Sequence, residues 1–308
     1  MNYQDAEIFL TIVSTKSITK AAEQLFLSQP TISHRLNLLE RELGVALIVR
    51  QKGHKVVQLT TKGEEFIAIA QRWVSLMKET QALKLSRENL HVSVGVTDSM
   101  NIAFMAPFYS KLLAECSPLE LSIYTHYSSE LYTLLESHEI DIAFVYHNLY
   151  YKNVQTEELF REKLYLLQGI PPTVPKTKVH TNDLNPDKEI FLTWNDAYTI
   201  WHDQWIKRMP RPRVSLDTIE LALRMWNEPS LWMIAPASVV KEFCKQRPFY
   251  VSELENNPPA RVCYKVNHKT PNMLTKKALD IFSKKLQEYI AQQDFNIPLG
   301  ERYLASKK

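Results

Sequence analysis

The chain has 308 residues, of which 45% are hydrophobic and 23% are charged, and its formal net charge is +3. The length indicates two or three domains, and the composition is ordinary for a globular protein. No apolar run approaches the roughly 18 residues that a transmembrane helix needs, so we expect no membrane insertion. The polar, mixed-charge start of the chain predicts no secretory signal, and hence a cytoplasmic protein.

The three cysteines, Cys116, Cys244 and Cys263, lie far apart in the sequence. This spacing argues against a disulfide framework or a zinc cluster and fits a reducing compartment. We expect ordinary buried thiols, and a redox switch between two of them is the alternative. Because the net charge is small, the position of the basic residues matters more than their number.

Three short helices are predicted in the first 44 residues. Asn2 and Asp5 have the spacing of a helix N-terminus, and Ser17 precedes a second helix. Ser28 and Pro30 open a third helix that ends at a glycine. The inner stripe of this third helix and its C-cap are formed by Ile32, Leu36, Leu39, Leu43 and Gly44.

The start of the third helix carries a polar outer face. All of its side chains can form hydrogen bonds and none is acidic, which suits insertion into a DNA major groove. These residues are Gln29, Thr31, Ser33, His34 and Arg35. Two β-rich stretches follow, residues 45–50 and 56–60, around a basic turn. They predict a hairpin, or wing, whose tip meets phosphates or the minor groove through Lys52, His54 and Lys55.

The order and spacing of many positions over these sixty residues resemble the LysR-type transcriptional regulators. The resemblance rests on Phe9, Ser17, Ala21, Ala22, Leu25, Ser28, Gln29, Pro30, Ser33, Leu39, Glu40, Leu43, Gly44, Leu47, Arg50, Leu59, Thr60 and Gly63. The sequence departs from the usual pattern at Ile48, where the family commonly has phenylalanine before the wing. This is a change in packing and leaves the resemblance intact.

The resemblance implies a winged helix-turn-helix DNA-binding domain over residues 1–60, with the third helix in the major groove. Carried onto this chain, it places Gln29, Pro30, Thr31 and His34 at base edges. It places Ser28, Ser33, Arg35 and Arg50 at phosphates. Three alternatives stay open: Ser28 acts only as a helix cap, Arg35 pairs with a neighbouring acid, and the basic turn is merely solvated.

A linker helix is predicted over residues 61–88. Apolar residues recur at spacings of three and four, as in the seam of a short coiled coil: Phe66, Ile69, Trp73, Leu76, Thr80 and Leu83. The small head cannot bury so long a stripe, so we expect pairing with a second copy. Packing against the chain's own C-terminal domain is the alternative. The resemblance implies a homodimer through this helix and suggests a homotetramer.

Residues 89–308 show strands alternating with helices, which predicts an α/β domain with sheets covered by helices. This part resembles the effector-binding domain of the same family, which is built like periplasmic binding proteins from two α/β subdomains. Subdomain I is expected at about 89–166 and 266–300, and subdomain II at about 167–265. The glycine expected near Met225–Pro229 is missing, and residues 227–230 read Asn-Glu-Pro-Ser instead.

Ligands of open α/β sheets bind at the carboxyl ends of strands, near helix N-termini. That rule selects the following effector-binding candidates: Thr97, Asp98, Ser99, Met100, Thr125, His126, Tyr127, Ser128, Ser129, Tyr146, His147, Thr193, Trp194 and Asn195. Ser99 and Ser128 fall where the family's small hydroxyl ligands occur, and simple N-caps are the alternative. Trp194 is the candidate for stacking on a ligand, whereas the other tryptophans are expected in the core.

The predicted cleft contains Asp98 and no obvious lysine or arginine. We therefore expect a neutral or amine-bearing effector with an apolar portion. The sequence predicts a DNA-binding regulator without a cofactor, with double-stranded DNA and a small molecule as partners and RNA polymerase as a further candidate. An enzyme is disfavoured because no HExxH, GxSxG, P-loop or GxGxxG motif occurs. The rival function is a solute-binding protein for transport, in which the N-terminal head would have no role.

Overall fold

The computed structural model describes residues 2–49, 57–82, 90–170, 177–206, 212, 214–271, 275–295, 297, 299 and 302–303. The chain divides into two compact units, of which the first comprises Met1–Glu88 with Thr133–Ile140 and the second Asn89–Tyr132 with Asp141–Lys308. Among the described residues, no helix combines the length and the hydrophobicity that crossing a bilayer would require.

Capping side chains set the ends of the three helices of the head. Asn2 and Asp5 form a reciprocal capping box at the start of the first helix, and Ser17 accepts a hydrogen bond from the Lys20 amide at the second. Gly44 ends the third helix in the left-handed conformation, with φ of 69°. The bounds are α1 Tyr3–Thr15, α2 Ile18–Gln24 and α3 Gln29–Leu43.

A short hairpin and a long helix complete the head. Strand β1, Ile48–Val49, pairs antiparallel with β2, Gln58–Leu59, and α4 runs over Thr61–Ala82. Glu40 of α3 anchors the hairpin because its carboxylate accepts from the amides of Leu47 and Ile48. A glycine is needed at position 63, since a Cβ there would lie 2.0 Å from the Leu47 carbonyl oxygen.

Phe66 of α4 belongs to the core of the head. Its ring meets that of Phe9 edge-on, with centroids 5.1 Å apart, and the residue is 5% exposed. The assignment of Phe66 to a dimer seam is therefore wrong, because its side chain is already buried within its own domain. The periodic stripe that continues it is exposed instead: Ile69 by 55%, Trp73 by 37% and Leu76 by 47%, with Thr80 also exposed. Leu83 lies outside the described residues.

Subdomain I is built on a sheet of strand order β4-β3-β5-β13-β6. The first three strands are mutually parallel, and β13 runs antiparallel to both β5 and β6. The described elements are β3 Leu90–Val96, α5 Asp98–Met100, a π-helical turn Asn101–Met105, α6 Ala106–Glu115, β4 Leu119–Thr125, α7 Ser128–Glu136, β5 Ile142–Val145, β6 Val154–Glu162, β13 Arg261–His268 and α11 Lys276–Ala291.

Subdomain II contains an antiparallel sheet of order β11-β7-β12-β14 and a separate parallel pair, β10-β9. A short strand, β8, pairs with β12. Its described elements are β7 Leu164–Gln168, β8 Lys178–Val179, β9 Ile190–Leu192, α8 Asp196–Trp205, β10 Val214–Leu216, α9 Ile219–Met225, β11 Trp232–Pro236, α10 Ala237–Gln246, β12 Phe249–Leu254 and β14 Arg302–Tyr303.

The chain passes between the subdomains a few residues earlier than expected in both directions. Strand β7 begins subdomain II at Leu164 rather than near residue 167, and β13 returns to the sheet of subdomain I at Arg261 rather than near residue 266. The strands that flank the first crossing, β6 and β7, are separated by the single residue Lys163.

The buried cysteines have strongly disfavoured thiolates. Burial raises the pKa of Cys244 to about 12 and that of Cys263 well above its ordinary value. Because the thiolate is the reactive form, both side chains have low reactivity. This favours ordinary buried thiols over a redox switch between two cysteines.

A buried ion pair joins the two crossings. Arg261, which is 1% exposed, donates through Nε (3.0 Å) and Nη2 (2.6 Å) to one carboxylate oxygen of Glu162. The other oxygen of Glu162 accepts from the Ser238 amide at 2.9 Å. The remaining Arg261 nitrogen donates to the Ser99 hydroxyl at 3.0 Å. The pair therefore ties the end of β6 and the start of β13 to both subdomains.

Removing one partner of this pair is expected to destabilise the domain strongly. Arg261→Met leaves the Glu162 carboxylate buried without a countercharge, which costs about 3–5 kcal/mol. Urea unfolding followed by tryptophan fluorescence reports this region, since five of the six tryptophans lie between Trp194 and Trp232.

Lys265→Met is the matched control, because Lys265 lies on the same strand and pairs with the half-exposed Glu157 at 3.2 Å. It should cost no more than about 1 kcal/mol. Equal losses for the two variants would contradict a special role for the buried pair.

Candidate DNA-binding surface and ligand cleft

The first turn of α3 presents an exposed polar surface. Ser28 caps the helix by accepting from the Thr31 amide at 3.2 Å, and the two hydroxyl oxygens lie 2.7 Å apart. Gln29, Pro30 and His34 are exposed, and the first turn carries no acidic residue. Because a helix N-terminus attracts anions, this surface can receive phosphates and the base edges between them.

Arg35 is engaged within the head. Its guanidinium forms an ion pair with Asp5 at 2.9 Å and reaches the Asn2 side chain at 3.4 Å. The structure therefore favours the pairing with a neighbouring acid over the expected phosphate contact. Ser33, also expected at a phosphate, is half-buried. The wing candidates Arg50, Lys52, His54 and Lys55 lie outside the described residues.

A cleft of about 630 Å³ opens between subdomains I and II. Its walls are the carboxyl ends of β3, β4 and β5 on one side and of β9 and β10 on the other, together with the helix starts that follow them. The lining residues are Thr97, Asp98, Ser99, Thr125, His126, Tyr127, Ser128, Ser129, Glu130, Tyr146, His147, Leu149, Leu192, Thr193, Trp194, Asp217, Thr218, Ile219 and Arg261.

Most of the sequence-derived candidates line this cleft, and two do not. Met100 is fully buried, with its sulfur 3.2 Å from that of Cys263, because the helix turns it into the core of subdomain I. Asn195 caps α8 by accepting from the Tyr198 amide at 2.8 Å. Both residues are therefore removed from the set that faces a ligand.

Arg261 lies in the wall of the cleft, so the expectation of a cleft without lysine or arginine is wrong. Its guanidinium carbon sits 3.7 Å from the centre of the Tyr146 ring and 5.1 Å from that of Trp194. Trp194 is itself fixed, since its indole N–H donates to the Ile234 carbonyl at 2.8 Å. The charge of Arg261 is nevertheless balanced by Glu162, so it adds no free cation.

Two hydroxyls of the cleft have no hydrogen-bond partner among the described residues, those of Tyr146 and Thr97. Burial raises the pKa of Tyr146 well above its ordinary value, while the charge of Arg261 and the Ser99 hydroxyl favour its ionised form. Both hydroxyls are neutral at neutral pH.

Hydrogen bonds cross the cleft between the subdomains. The Asp98 carboxylate accepts from the Ile219 amide at 3.1 Å, and the Tyr127 hydroxyl donates to Asp217 at 3.3 Å. Burial raises the pKa of Asp98, the Ile219 amide opposes this, and the negative charges of Asp217 and Glu220 add to the rise. The Asp217 charge also raises the pKa of Tyr127.

Sequence reasoning missed several lining residues for two different reasons. Asp217, Thr218 and Ile219 follow β10, a three-residue strand that the sequence pattern did not reveal; recognising it would have selected them by the strand-end rule. Arg261 begins a strand instead of following one, so no local signal marks it. The others are Glu130, Leu149 and Leu192.

Two family profiles match the chain. The profile of the bacterial regulatory helix-turn-helix protein, lysR family, matches residues 3–64. The profile of the LysR substrate binding domain matches residues 86–283. Together they cover the head with the start of α4, and most of the two-subdomain unit that holds the cleft.

Related proteins align over most of their length. The HTH-type transcriptional regulator YraN of Bacillus subtilis (strain 168) is 28% identical over 271 residues, which are 83% of this chain and 86% of that protein. The HTH-type transcriptional regulator CzcR of the same strain is 24% identical over 279 residues, 87% of this chain and 92% of that protein.

Solved structures share the fold. A full-length single-residue variant of OxyR from Pseudomonas aeruginosa superposes with a TM-score of 0.64 at 20% identity, covering 93% of this chain and 98% of that one. Full-length CbnR complexed with its target DNA gives a TM-score of 0.61 at 17% identity, covering 94% and 100%. The profile matches extend over both parts of this fold, and the chain therefore belongs to the LysR family of DNA-binding transcriptional regulators, with a helix-turn-helix head and a substrate-binding domain.

Proposed function

We propose that the N-terminal half of α3 reads operator sequence in the major groove. The observation that carries this is the exposed surface of Gln29, Pro30, Thr31 and His34 around a helix start that holds no acid. Glutamine and histidine side chains can donate to and accept from base edges, whereas the Ser28 cap and the helix dipole suit a phosphate. The wing residues Arg50, Lys52, His54 and Lys55 stay candidates for backbone contacts.

Gln29→Ala and His34→Ala are expected to weaken operator binding and to relax its sequence selectivity, because each removes hydrogen bonds to a base that are together worth about 1–3 kcal/mol. Gel-shift titrations on operator and scrambled duplexes across a salt series would measure both effects. Arg41→Ala, an exposed cation in the last turn of the same helix, is the control: it should leave selectivity unchanged. Unaltered selectivity in the Gln29 and His34 variants would contradict the assignment.

We further propose that a small-molecule effector binds in the cleft and shifts the angle between the two subdomains. The hydrogen bonds that join Asp98 and Tyr127 to the opposite wall support this, because a ligand between the walls must add to or replace them. An effector changes DNA binding only by its differential affinity for the two arrangements. In this proposal the ligand is bound and released unchanged, in the cytoplasm, which separates the protein from both an enzyme and an exported solute carrier.

We propose that two chains pair through the exposed face of α4. Ile69, Trp73, Leu76 and Thr80 follow one another at spacings of four, three and four, which is the periodicity of a coiled-coil seam. A dimer presents two recognition helices to two half-sites, and a tetramer doubles this again. RNA polymerase stays a candidate partner of the DNA-bound oligomer.

Trp73→Glu and Leu76→Glu are expected to shift the protein toward the monomer, because a carboxylate in the seam would have to be buried. Sedimentation velocity would report the change in mass, and operator affinity should fall as the second half-site is lost. Ile200→Glu is the matched control, since Ile200 is an exposed apolar residue of α8 outside the seam. An unchanged mass for both seam variants would rule out this face as the interface.

A further inference from the structure

The cleft carries an excess of negative charge. Its lining includes three carboxylates, Asp98, Glu130 and Asp217, against one guanidinium. That guanidinium, Arg261, is neutralised by its ion pair with Glu162. Glu130 lies 3.3 Å from the ring of His126, so Asp98 and Asp217 are the carboxylates that a cationic ligand would meet.

Two backbone amides at the cleft already donate to the chain's own carboxylates. Glu130 accepts from the Tyr127 amide at 3.2 Å, and Asp98 accepts from the Ile219 amide at the start of α9. The four helices that begin at the cleft, α5, α7, α8 and α9, each have an acidic residue in the first turn: Asp98, Glu130, Asp196 and Glu220. The attraction of these helix starts for an anion is thereby satisfied within the protein.

Two of the carboxylates lie on opposite walls of the cleft. Asp98 belongs to subdomain I and Asp217 to subdomain II, and the Asp217 charge contributes to the raised pKa of Asp98, after burial. Each uses one oxygen in the cross-cleft hydrogen bonds, Oδ2 in both cases. A positive charge placed between them would remove their repulsion and bind the remaining oxygens.

One part of the wall is aromatic and apolar, beside several hydroxyl side chains. Tyr146, Trp194, Leu149 and Leu192 line it, and the Tyr146 hydroxyl is buried without a partner in the described part of the chain, in a residue that is 7% exposed. A ligand that fills this space has an apolar body and a polar group that reaches Tyr146, since a buried hydroxyl is more stable when hydrogen-bonded.

We propose that the effector is an organic cation, an amine with an aromatic or apolar body, whose ammonium group lies between Asp98 and Asp217. This inference rests on the proposed function of the cleft and names the class of its ligand. The ammonium group joins the two walls, so the cation binds the closed arrangement more tightly than the open one. That difference in affinity is what a regulatory ligand requires.

Calorimetric titration of the full chain with three matched probes tests the ligand class. Tyramine, tyrosol and 4-hydroxyphenylacetate share a phenol that can reach Tyr146 and differ in a positive, neutral or negative end. Tyramine is expected to bind at least about tenfold more tightly than either analogue, a difference of about 1.4 kcal/mol. Its affinity should fall as the pH is lowered through the raised pKa of Asp98, because protons then compete with the ammonium group.

Asp217→Asn should remove most of the advantage of tyramine, whereas Asp187→Asn, an exposed carboxylate of subdomain II outside the lining, should not. Tighter binding of the carboxylate, an unchanged tyramine affinity in Asp217→Asn, or no binding of any probe at millimolar concentration would overturn the proposal. If 4-hydroxyphenylacetate bound and altered operator affinity, the proposal that the cleft binds an effector would stand. Only the proposal that the effector is a cation would be refuted.

A second inference comes from Phe26 in the turn before α3. It is 95% exposed, and its φ of 55° is left-handed. The amides of Phe26 and Leu27 donate to the carbonyls of Glu23 and Ala22, which is the Schellman geometry that normally has glycine at this position. Phenylalanine here strains the backbone and buries nothing in the chain, so folding does not account for it.

We infer that Phe26 contacts DNA beside the recognition helix. It lies two residues before the Ser28 cap and is continuous with the exposed surface of α3. An apolar ring in this place can pack on a thymine methyl group or on deoxyribose. The ring would then be buried when DNA binds, whereas it stays exposed when the chain folds alone.

Phe26→Gly is expected to raise the thermal unfolding temperature and to lower operator affinity several-fold, two changes of opposite direction. Tyr150→Ala, which removes an aromatic ring that is 90% exposed outside the head, should leave operator affinity unchanged. Wild-type operator affinity in Phe26→Gly would overturn the inference. A change confined to sedimentation behaviour would do the same, because it would assign the ring to a protein contact.

Discussion

The buried pair of Arg261 and Glu162 is the interaction on which the effector-binding unit depends. The two residues are partners in the register of β13 and β6, at the points where the chain leaves subdomain I and returns to it. Burying two charges is costly, and it is tolerated here because nearly every donor and acceptor is used: Glu162 also accepts from Ser238, and Arg261 also donates to Ser99 and stacks on Tyr146. One ion pair therefore fixes both crossings and one wall of the cleft.

The contacts farther out in the cleft are of a different kind. Asp98 and Tyr127 each make a single hydrogen bond to the opposite wall, and Tyr127 and Asp217 are exposed to solvent. The exposed hydrogen bond between Tyr127 and Asp217 contributes little net free energy, so it can exchange with a ligand, whereas the pair at the crossings cannot. A fixed hinge beside weak, exchangeable contacts is the combination that lets a ligand of modest size change the angle between two subdomains.

Sequence reasoning worked where structure is decided locally and failed where it depends on distant segments. The helices of the head follow from their caps and apolar periodicity, so Asn2, Ser17, Ser28 and Gly44 act at the positions expected. Many of the residues that line the cleft were predicted by the rule that ligands bind at strand ends. Arg261 could not be found this way, because it reaches Ser99 from 162 residues away. Phe66 was misassigned because a helical stripe does not show where the head ends and a partner begins.

The two sites use helix N-termini in opposite ways. In the head, α3 begins with a neutral serine cap and no acid in its first turn, so its positive end is left for the phosphates of DNA. Around the cleft, the helices that begin there carry their own acids in the first turn, and their positive ends are compensated internally. The chain is nearly neutral overall, so its net charge explains neither a preference for anions at α3 nor a preference for cations in the cleft. An anion is favoured at the start of α3 and a cation in the cleft because of a few carboxylates in the first turns of the helices around the cleft. The field of a helix end extends little beyond its terminal turn, so carboxylates placed there can decide the preference.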